Sequence, residues 1–371
     1  MRSSADMDRY SRQIILKNFG EQAQQKLAAA KVLVIGAGGL GCPALQYLVA
    51  AGVGCIGIAD GDIVSLSNLH RQTLYTADDI GLFKVAVAEK KLYHQNPTIA
   101  IIAHQININN QNALSIFSQY DFILDGSDNF ATRYLVNDAC FILKKPLVYG
   151  AVSQYQGQIA IFNTIDENGI LTTYRDVFPE PPKRGEILDC AAAGVLGVLP
   201  GIIGTMQAAE ILKLITGLGK PVINKLLTYN VLNNEIYAVR IVPYPHKNLP
   251  PLNEQEFLLM DYNNFCNSSE TKIIDIDAAQ FKVLAAMPST IVIDVREMGE
   301  LPLISTFQHH QMPMTVFAEK IKNVKESAVI LFCQHGIRSI YAGEIVQEIF
   351  GTTKTVYSLK GGISRWLNQL L

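Results

Sequence analysis

The feature that most constrains this chain is a glycine loop set between two apolar runs. Residues 31–62 read KVLVIGAGGLGCPALQYLVAAGVGCIGIADGD. This pattern predicts a buried strand, a tight turn, a helix and a second strand that ends at Asp60. The glycines of the turn are Gly36, Gly38, Gly39 and Gly41. Glycines let the backbone approach phosphates, the helix N-terminus supplies N–H donors, and the carboxylate suits ribose hydroxyls. The loop therefore predicts a nucleotide site.

Composition excludes several classes of protein. The 371 residues suit two domains, and a hydrophobic content of 49% suits packed cores rather than disorder. The net charge of −2, without a polybasic run, disfavours nucleic-acid binding. Two long uncharged stretches, 32–59 and 191–209, contain glycine or proline, so we expect buried segments and no membrane span. Six cysteines without disulfide-like spacing or a CxxC pair, after a polar N-terminal segment, predict a cytoplasmic protein.

Strand patterns alternate with helical patterns along most of the chain. This alternation predicts an α/β fold with a mostly parallel sheet covered on both faces. We expect one helix over Arg9–Ala30, a loop over Val177–Asp189, and antiparallel strands near 158–163 and 226–239. A proline-rich, polar stretch follows, and a second βα pattern begins near Lys272. We therefore expect domains over 1–245 and 272–371, joined by a linker over 246–271.

Charged and polar residues follow the glycine loop in a consistent order. They are Asp62, Asn68, Arg71, Lys84 and Asp128, with Arg12 before the first strand. Cations and a carboxylate around a nucleotide fit charge neutralisation and metal binding in phosphoryl or adenylyl transfer. A nicotinamide dehydrogenase, which the glycine pattern alone would favour, does not need this set.

Residues 8–242 resemble the MoeB/ThiF family of sulfur-carrier adenylyltransferases, which are related to ubiquitin-activating enzymes. The matching stretches are RYSRQIIL, VLVIGAGGLGCPALQYLVAAGVG, VSLSNLHRQTLY, DGSDNF and GVLGVLPGIIGTMQAAEILKLITG. The resemblance implies a Rossmann-like adenylation domain that binds ATP and Mg²⁺. It also implies adenylation of the C-terminal Gly-Gly carboxylate of a small ubiquitin-like sulfur-carrier protein.

The resemblance also assigns roles to single residues. It implies that Asp60 and Asp62 lie near the ribose and the metal, and that Asn68, Arg71 and Lys84 face the phosphates. Asp128 would hold Mg²⁺. Arg12 would reach the phosphates from the partner subunit of a homodimer, and Cys190 would attack the carrier adenylate or form a mixed disulfide during sulfur transfer. These roles are expectations for this chain.

The chain departs from the family pattern at the structural zinc site. Many members carry two CxxC pairs, but Thr173 and Asp176 stand where the first pair would fall. The second pair would fall near PYPHKNLPP, where His246 is the one nitrogen ligand. We therefore expect no zinc site.

A second loop, Cys333–Ser339 (CQHGIRS), follows an apolar strand pattern and precedes a helical one. Such a loop points backbone N–H groups at one centre, places Cys333 at a helix N-terminus and favours a thiolate or persulfide. We expect Arg338 to add positive charge. With IVIDVRE before it and VYSLKGGISRW after it, the region from 272 to 371 resembles a rhodanese domain, although the segment after DVRE lacks the usual GHIPGA-like phrase. Asp294 and Arg296 are expected to form a structural ion pair.

The combined interpretation is an adenylyltransferase fused to a sulfurtransferase. Cys333 would take sulfur from a persulfide or thiosulfate and give the carrier a thiocarboxylate, for molybdopterin (molybdenum cofactor), thiamine or tRNA thiolation. The alternative is a nucleotide-binding scaffold with an inactive rhodanese-like module. The sequence does not distinguish between the carriers, the pathways or the sulfur donors.

Overall fold

Apolar runs that end at glycine or polar residues form the strands, and the amphipathic segments between them form helices. The computed structural model describes residues 8–181, 194–244, 250–262 and 273–370. These residues belong to two compact units, the first ending at 262 and the second beginning at 273. Each unit has its own sheet.

The first sheet, in the described residues, has eight strands in the order β3-β2-β1-β4-β5-β6-β7-β8. The strands are β1 Lys31–Ile35, β2 Cys55–Ala59, β3 Ala100–His104, β4 Phe122–Asp125, β5 Leu147–Ser153, β6 Gln156–Phe162, β7 Lys225–Asn230 and β8 Glu235–Arg240. Pairs from β3 to β5 are parallel, and pairs from β5 to β8 are antiparallel. The parallel core and the later antiparallel strands confirm the predicted architecture.

Helices connect and cover these strands. They are α1 Ser11–Ile14, α2 Gly20–Ala29, α3 Gly41–Ala51, α4 Lys84–Gln95, α5 Ala113–Phe117, α6 Phe130–Leu143, α7 Tyr174–Val177, α8 Val198–Thr216 and α9 Glu254–Leu259. Short 3₁₀ turns cover Leu66–Asn68 and Ala77–Asp79. Helix α3 ends at Gly52, and α8 ends at Gly217, both in the left-handed conformation that terminates helices.

The register of three strands creates the site. Ile35, the last residue of β1, pairs with Ala59 on one side and Asp125 on the other. The chain order reverses between β1 and β4, which opens a crevice at their carboxyl ends. The glycine loop, Asp60 and the segment after Asp125 therefore emerge at the same edge.

Helix α8 is long and apolar enough to span a membrane by composition. In this structure it packs against α3, β5 and β6, and Ala208 and Ile211 belong to the main hydrophobic core. Its buried Gln207 donates from Nε2 to the Asp125 carbonyl at 2.7 Å. The helix thus supports the floor of the crevice.

Two segments differ from the sequence-based expectation. The predicted helix over Arg9–Ala30 is wrong, because the chain turns between α1 and α2, with Asn18 and Gly20 at positive φ. Within the segment expected as linker, α9 packs on the first unit through the fully buried Phe257. A polar, proline-rich composition hid this helix, which Asn253 caps by accepting from the Glu256 N–H.

A buried ion pair ties α6, α7 and the end of this segment together. Arg175 Nη2 lies 2.7 Å from Asp138 Oδ2, and neither side chain is exposed. Tyr262 donates its hydroxyl to the same carboxylate oxygen at 2.9 Å. Burial is tolerated because the charges are paired and hydrogen-bonded.

The second unit is a smaller α/β layer structure. Its strands are β9 Ile273–Ile276, β10 Thr290–Asp294, β11 His310–Gln311, β12 Ala328–Phe332 and β13 Thr355–Leu359, all parallel, in the order β11-β10-β12-β13-β9. Its helices are α10 Ala278–Ala285, α11 Met314–Lys320, α12 Ile337–Phe350 and α13 Gly362–Leu370, with 3₁₀ turns at Ile321–Asn323 and Gly351–Thr353. Cores lie on both faces of the sheet.

We expect Asp138→Asn to lower the free energy of unfolding by about 3–5 kcal/mol, because it leaves the Arg175 charge buried without its partner. Urea denaturation followed by far-UV circular dichroism measures this change. Asp78→Asn, at an exposed position, is the matched control and should change stability by less than about 0.5 kcal/mol. Equal stability of Asp138→Asn and the parent would contradict the structural role of the pair.

Candidate functional site

The glycine loop is held against two neighbouring strand ends by close backbone packing. A side chain at Gly41 would place its Cβ 1.9 Å from the Gly36 carbonyl oxygen, so the loop closes only around glycine. Gly36 has a φ of +85° and lies against the backbone of Gly126. Gly38 and Gly39 line the crevice beside the start of α3. The loop has the geometry expected for holding phosphates at a helix N-terminus.

Asp60 links the loop to the second strand and to Lys84. Its Oδ2 accepts from the Ala37 N–H at 2.8 Å, and its Oδ1 accepts from the Asp62 N–H at 2.8 Å. Burial raises the pKa of Asp60, while the Lys84 charge and the two N–H donors act in the opposite direction. Lys84 Nζ donates to Asp62 Oδ2 at 2.8 Å and lies 3.9 Å from Asp60 Oδ2. The cation is thus fixed between two carboxylates.

These elements surround a cavity of about 540 Å³ in the first unit. Most of the residues predicted for nucleotide binding line it: Gly36, Gly38, Gly39, Asp60, Asp62, Arg71, Lys84 and Asp128. Gly41 does not line the cavity but packs against the Gly36 carbonyl. Asn68 and Arg12 are not among the lining residues. Arg12 lies on α1 with its side chain exposed, while Asn68 lies on the 3₁₀ turn before Arg71.

Arg71 approaches the cavity with its guanidinium anchored. Its Nη1 donates to the Ser67 carbonyl at 3.0 Å and to His70 Nε2 at 2.7 Å. Partial burial, followed by the Arg71 charge, lowers the pKa of His70, so the imidazole is a neutral acceptor at pH 7. Because Arg71 keeps its other donors, it is suited to an anionic group in the cavity.

Sequence reasoning missed polar residues that also line this cavity. They are Gln72, Asn107, Asn109, Ser127, Asn129, Thr132 and Arg133. Asn107 and Asn109 follow β3 and Asn129 follows β4, all at the carboxyl edge, and this position could have identified them. Gln72 is buried, and its Oε1 has no hydrogen-bond partner among the described residues. An unsatisfied acceptor at the wall fits a polar ligand in the cavity.

A second cavity of about 340 Å³ adjoins the first. Both cavities share Asn109, Asn129 and Thr132. The second is closed by Leu258–Tyr262, where Asn110 Nδ2 donates to the carbonyls of Leu258 and Met260 at 2.9 and 3.1 Å. The segment expected as linker therefore contributes a wall next to the candidate nucleotide site.

The described residues contain no group of three or more His, Cys, Asp or Glu side chains placed to hold a metal ion by themselves. The Asp128 carboxylate lines the cavity, and this position fits a metal that also takes ligands from a nucleotide. Thr173 and Asp176 cap α7 with each other, and Asp176 Oδ1 accepts from the Tyr244 N–H at 2.8 Å. His246 lies outside the described residues.

The second unit places Cys333 at the end of β12, directly before α12. The Gly336 N–H donates to Cys333 Sγ at 3.1 Å, and Gly336 itself has a φ of +84°. The N–H and the helix N-terminus both favour negative charge on sulfur. Cys333 is buried, with 1% of its surface exposed.

Backbone contacts from the GGIS segment, residues 361–364, hold this loop in one conformation. The Ile363 N–H donates to the Cys333 carbonyl at 2.9 Å, and the Ser364 N–H donates to the Gln334 carbonyl at 3.0 Å. A Cβ at Gly362 would lie 2.5 Å from both carbonyl oxygens. The GGIS segment therefore fixes the backbone conformation that aims the Gly336 N–H at the sulfur.

Arg338, which was expected to add positive charge to the loop, carries that charge in an ion pair. Its guanidinium forms a bidentate ion pair with Glu300, in which Nη2 donates to Oε2 at 2.8 Å and Nη1 donates to Oε1. Arg338 lowers the pKa of Glu300, so the pair is charged at neutral pH. Sequence reasoning missed Glu300 because it lies in the atypical segment after DVRE. Arg296 and Asp294 form the expected buried ion pair, at 2.7 Å.

Other cysteines in the described residues are less suited to nucleophilic roles. Burial raises the pKa of Cys42 to about 12 and that of Cys140 well above its ordinary value. Partial burial also raises the pKa of Cys55. Cys190, the second predicted sulfur-transfer residue, lies outside the described residues.

Comparison with known proteins matches both units. The ThiF family model covers residues 10–251, and the rhodanese-like domain model covers residues 262–369. The sulfur carrier protein adenylyltransferase of Thermus thermophilus is 46% identical over 70% of this chain and 97% of that protein. The probable adenylyltransferase/sulfurtransferase MoeZ of Mycobacterium tuberculosis is 37% identical over 99% of this chain and 94% of that protein. Both resemblances and the fold class are confirmed.

More distant proteins agree. The adenylyltransferase and sulfurtransferase MOCS3 of Xenopus laevis is 35% identical over 99% of this chain and 88% of that protein. The crystal structure of E. coli MccB superposes with a TM-score of 0.57 at 22% identity, over 66% of this chain and 72% of that chain. This structural likeness shows the fold of the first unit.

We expect Gly41→Ala to weaken ATP binding at least about tenfold, because the new Cβ must displace the Gly36 carbonyl and open the phosphate loop. Isothermal titration calorimetry with ATP measures the dissociation constant. Gly201→Ala, in α8 with open space around the position, is the matched control and should bind like the parent. Parental affinity in a folded Gly41→Ala variant would show that the loop does not hold the nucleotide.

Proposed function

Because the chain belongs to the ThiF family, carries a C-terminal rhodanese-like domain and is an adenylyltransferase and sulfurtransferase, we propose one step for each unit. The first unit adenylates the C-terminal Gly-Gly carboxylate of a ubiquitin-like sulfur-carrier protein. The second unit carries sulfur as a persulfide on Cys333 and delivers it to the activated carrier. The product is a carrier thiocarboxylate.

The observation that carries the adenylation proposal is the cavity at the reversal point of the sheet. The glycine loop and the start of α3 form one side, and the Asp60–Lys84–Asp62 cluster forms the floor. This arrangement fits the phosphates at the loop and the ribose near Asp60. Lys84 and Arg71 supply two cations to a site whose substrate is strongly anionic.

Adenylation needs little covalent chemistry from the protein. A carrier carboxylate oxygen attacks the α-phosphorus of ATP, and the bond to the bridging oxygen of pyrophosphate breaks. The products are an acyl-adenylate and pyrophosphate, so charge is conserved. The protein must align the carboxylate and stabilise negative charge on the leaving group, which are roles for Arg71 and Lys84.

Mg²⁺ fits the residues at the site as a companion of ATP. Asp128 would hold it, with the phosphates as further ligands, and the ion would neutralise charge on the leaving pyrophosphate. The acceptor on Gln72 and the carboxylates near Lys84 remain available to the nucleotide. We propose no resident zinc, since Asp176 and Thr173 already satisfy each other.

Sulfur transfer begins when the Cys333 thiolate attacks a sulfane sulfur and becomes a persulfide. The persulfide anion attacks the carbonyl carbon of the acyl-adenylate, AMP leaves, and an acyl disulfide forms. A second thiolate then breaks the S–S bond, which releases the carrier thiocarboxylate and leaves a protein disulfide. We propose Cys190 as this second thiolate, and an external dithiol reductant restores both cysteines.

Three further features belong to the proposal. The active form is a homodimer in which Arg12 acts on the partner's nucleotide, since its exposed side chain does not line the cavity of its own chain. The enzyme works in the cytoplasm on carriers for molybdenum cofactor, thiamine or tRNA thiolation. Domains over 1–245 and 272–371 carry the two activities, and the segment 246–271 joins them, with its helix α9 packed on the first unit.

We expect Lys84→Ala to reduce carrier-dependent ATP–pyrophosphate exchange more than about a hundredfold, because a buried cation at the phosphates is lost. Sulfur transfer to cyanide should persist. Cys333→Ala should show the reverse pattern, since the nucleophile for sulfur is gone. Lys90→Ala, exposed on the same helix as Lys84, is the matched control. Loss of both activities in either folded variant would argue against two separable sites.

We expect Arg12→Ala and Asp128→Ala subunits to complement each other in a mixed dimer. Each pure variant should lack adenylation, while the heterodimer keeps one complete site because Arg12 and Asp128 then meet from different chains. An equal mixture should recover about a quarter of the parental exchange rate. Native mass spectrometry verifies subunit mixing. A verified heterodimer without activity would place Arg12 in its own chain's site.

A further inference from the structure

We propose that Glu300 determines which sulfur donor the Cys333 loop accepts, by holding the Arg338 guanidinium so that small dianionic donors are disfavoured against singly charged persulfides. The inference rests on the proposed sulfur-transfer function of Cys333. It concerns the choice of donor, which neither the cysteine loop nor the family match determines.

The geometry of the pair carries the argument. Two parallel hydrogen bonds join Arg338 to both oxygens of Glu300, the strongest arrangement available to these groups. Only 18% of the Arg338 side chain and 31% of the Glu300 side chain are exposed. Arg338 lies five positions after Cys333, on the first turn of α12. The cation nearest to the sulfur loop in sequence is therefore neutralised within the protein.

The other charged side chains around the loop are either paired within the protein or exposed to solvent. Arg296 is also paired, with Asp294, and its Nη1 donates to Gln334 Oε1 at 3.3 Å. His335, Lys360 and Arg365 have exposed side chains, and Arg365 lies over the Trp366 ring at 5.2 Å. The hydrogen bonds described at the sulfur itself are neutral: the Gly336 N–H donates to Cys333 Sγ at 3.1 Å, and the Ser339 Oγ lies 3.7 Å from it.

This environment stabilises one negative charge better than several. Thiosulfate brings two charges: the Cys333 thiolate attacks its outer sulfur, the S–S bond breaks, and sulfite leaves as a dianion. A persulfide anion brings one charge, and an ordinary thiolate leaves after the same attack. Both reactions give the Cys333 persulfide with atoms and charge balanced. Because Glu300 pairs with Arg338, this guanidinium compensates the second charge of the dianion less than an unpaired guanidinium would.

A hydrogen bond that does not involve Arg338 also holds Glu300 in position. Its Oε1 also accepts from the Glu297 N–H at 2.8 Å, which closes a turn before the cis peptide bond at Leu301–Pro302. Gln at this position keeps the size and an oxygen acceptor for that N–H. Glu300→Gln therefore removes the charge while retaining the turn.

The test compares two donors on the full chain, with cyanide as acceptor. Thiosulfate is the dianionic donor, and the persulfide of N-acetylcysteamine is the singly charged one. We expect Glu300→Gln to lower KM for thiosulfate about tenfold, with kcat changed less than about twofold, because the freed guanidinium assists ground-state and transition-state binding alike. KM for the persulfide should change less than about twofold.

Three further variants separate charge pairing from structure. Glu297→Gln removes the same charge from the same turn, but Glu297 contacts Thr315 rather than Arg338, so it should keep the parental KM for both donors. Glu300→Gln combined with Arg338→Gln should lose the gain with thiosulfate. Glu300→Asp, which keeps the charge, should restore most of the parental preference.

Each outcome has a defined meaning. A lower thiosulfate KM in Glu300→Gln alone supports the inference. An unchanged KM, an equal change for both donors, or an equal effect of Glu297→Gln overturns it while leaving the proposed function intact. A parent protein that transfers sulfur from neither donor contradicts the proposed function of Cys333, and the inference about Glu300 falls with it.

Discussion

The candidate nucleotide site depends on the hydrogen bonds and the ion pair of the Asp60 carboxylate. The carboxylate accepts the Ala37 N–H from the glycine loop and the Asp62 N–H from its own turn, and it lies within reach of Lys84. A buried carboxylate is costly unless charge and donors surround it. Here the two N–H groups and Lys84 provide both. The same contacts fix the loop, the second strand and the cation relative to one another.

The two units place reactive groups by similar means but treat charge differently. In each unit, a parallel strand ends, a glycine-bearing loop turns, and a helix begins beside the candidate site. The first cavity keeps Arg71 and Lys84 at its surface, as a polyphosphate requires. The cysteine loop keeps a neutral N–H at sulfur and pairs its arginine with Glu300. The difference matches the charge of the groups each site is proposed to handle.

Much of this arrangement could be predicted from the sequence, because short patterns determine it locally. Glycine spacing and flanking apolar runs predicted the strand, loop and helix around Gly36–Gly41, and alternation predicted the parallel sheet. Contacts between distant segments could not be predicted in this way. Glu300 and Arg338 lie 38 positions apart, and Tyr262 reaches Asp138 across 124 positions. The break between α1 and α2 was missed although Asn18 and Gly20, residue types that often terminate helices, lie at it.

The central claim is that one chain both activates a carrier and transfers sulfur to it. The mass of the carrier after the reaction tests this claim most directly. The purified enzyme is mixed with ATP, Mg²⁺, a persulfide donor, a dithiol reductant and a carrier ending in Gly-Gly. Intact-protein mass spectrometry should show one carrier oxygen replaced by one sulfur, dependent on both ATP and the donor. A carrier that becomes adenylated but never gains sulfur, with Cys333 verified as a persulfide, would contradict the account.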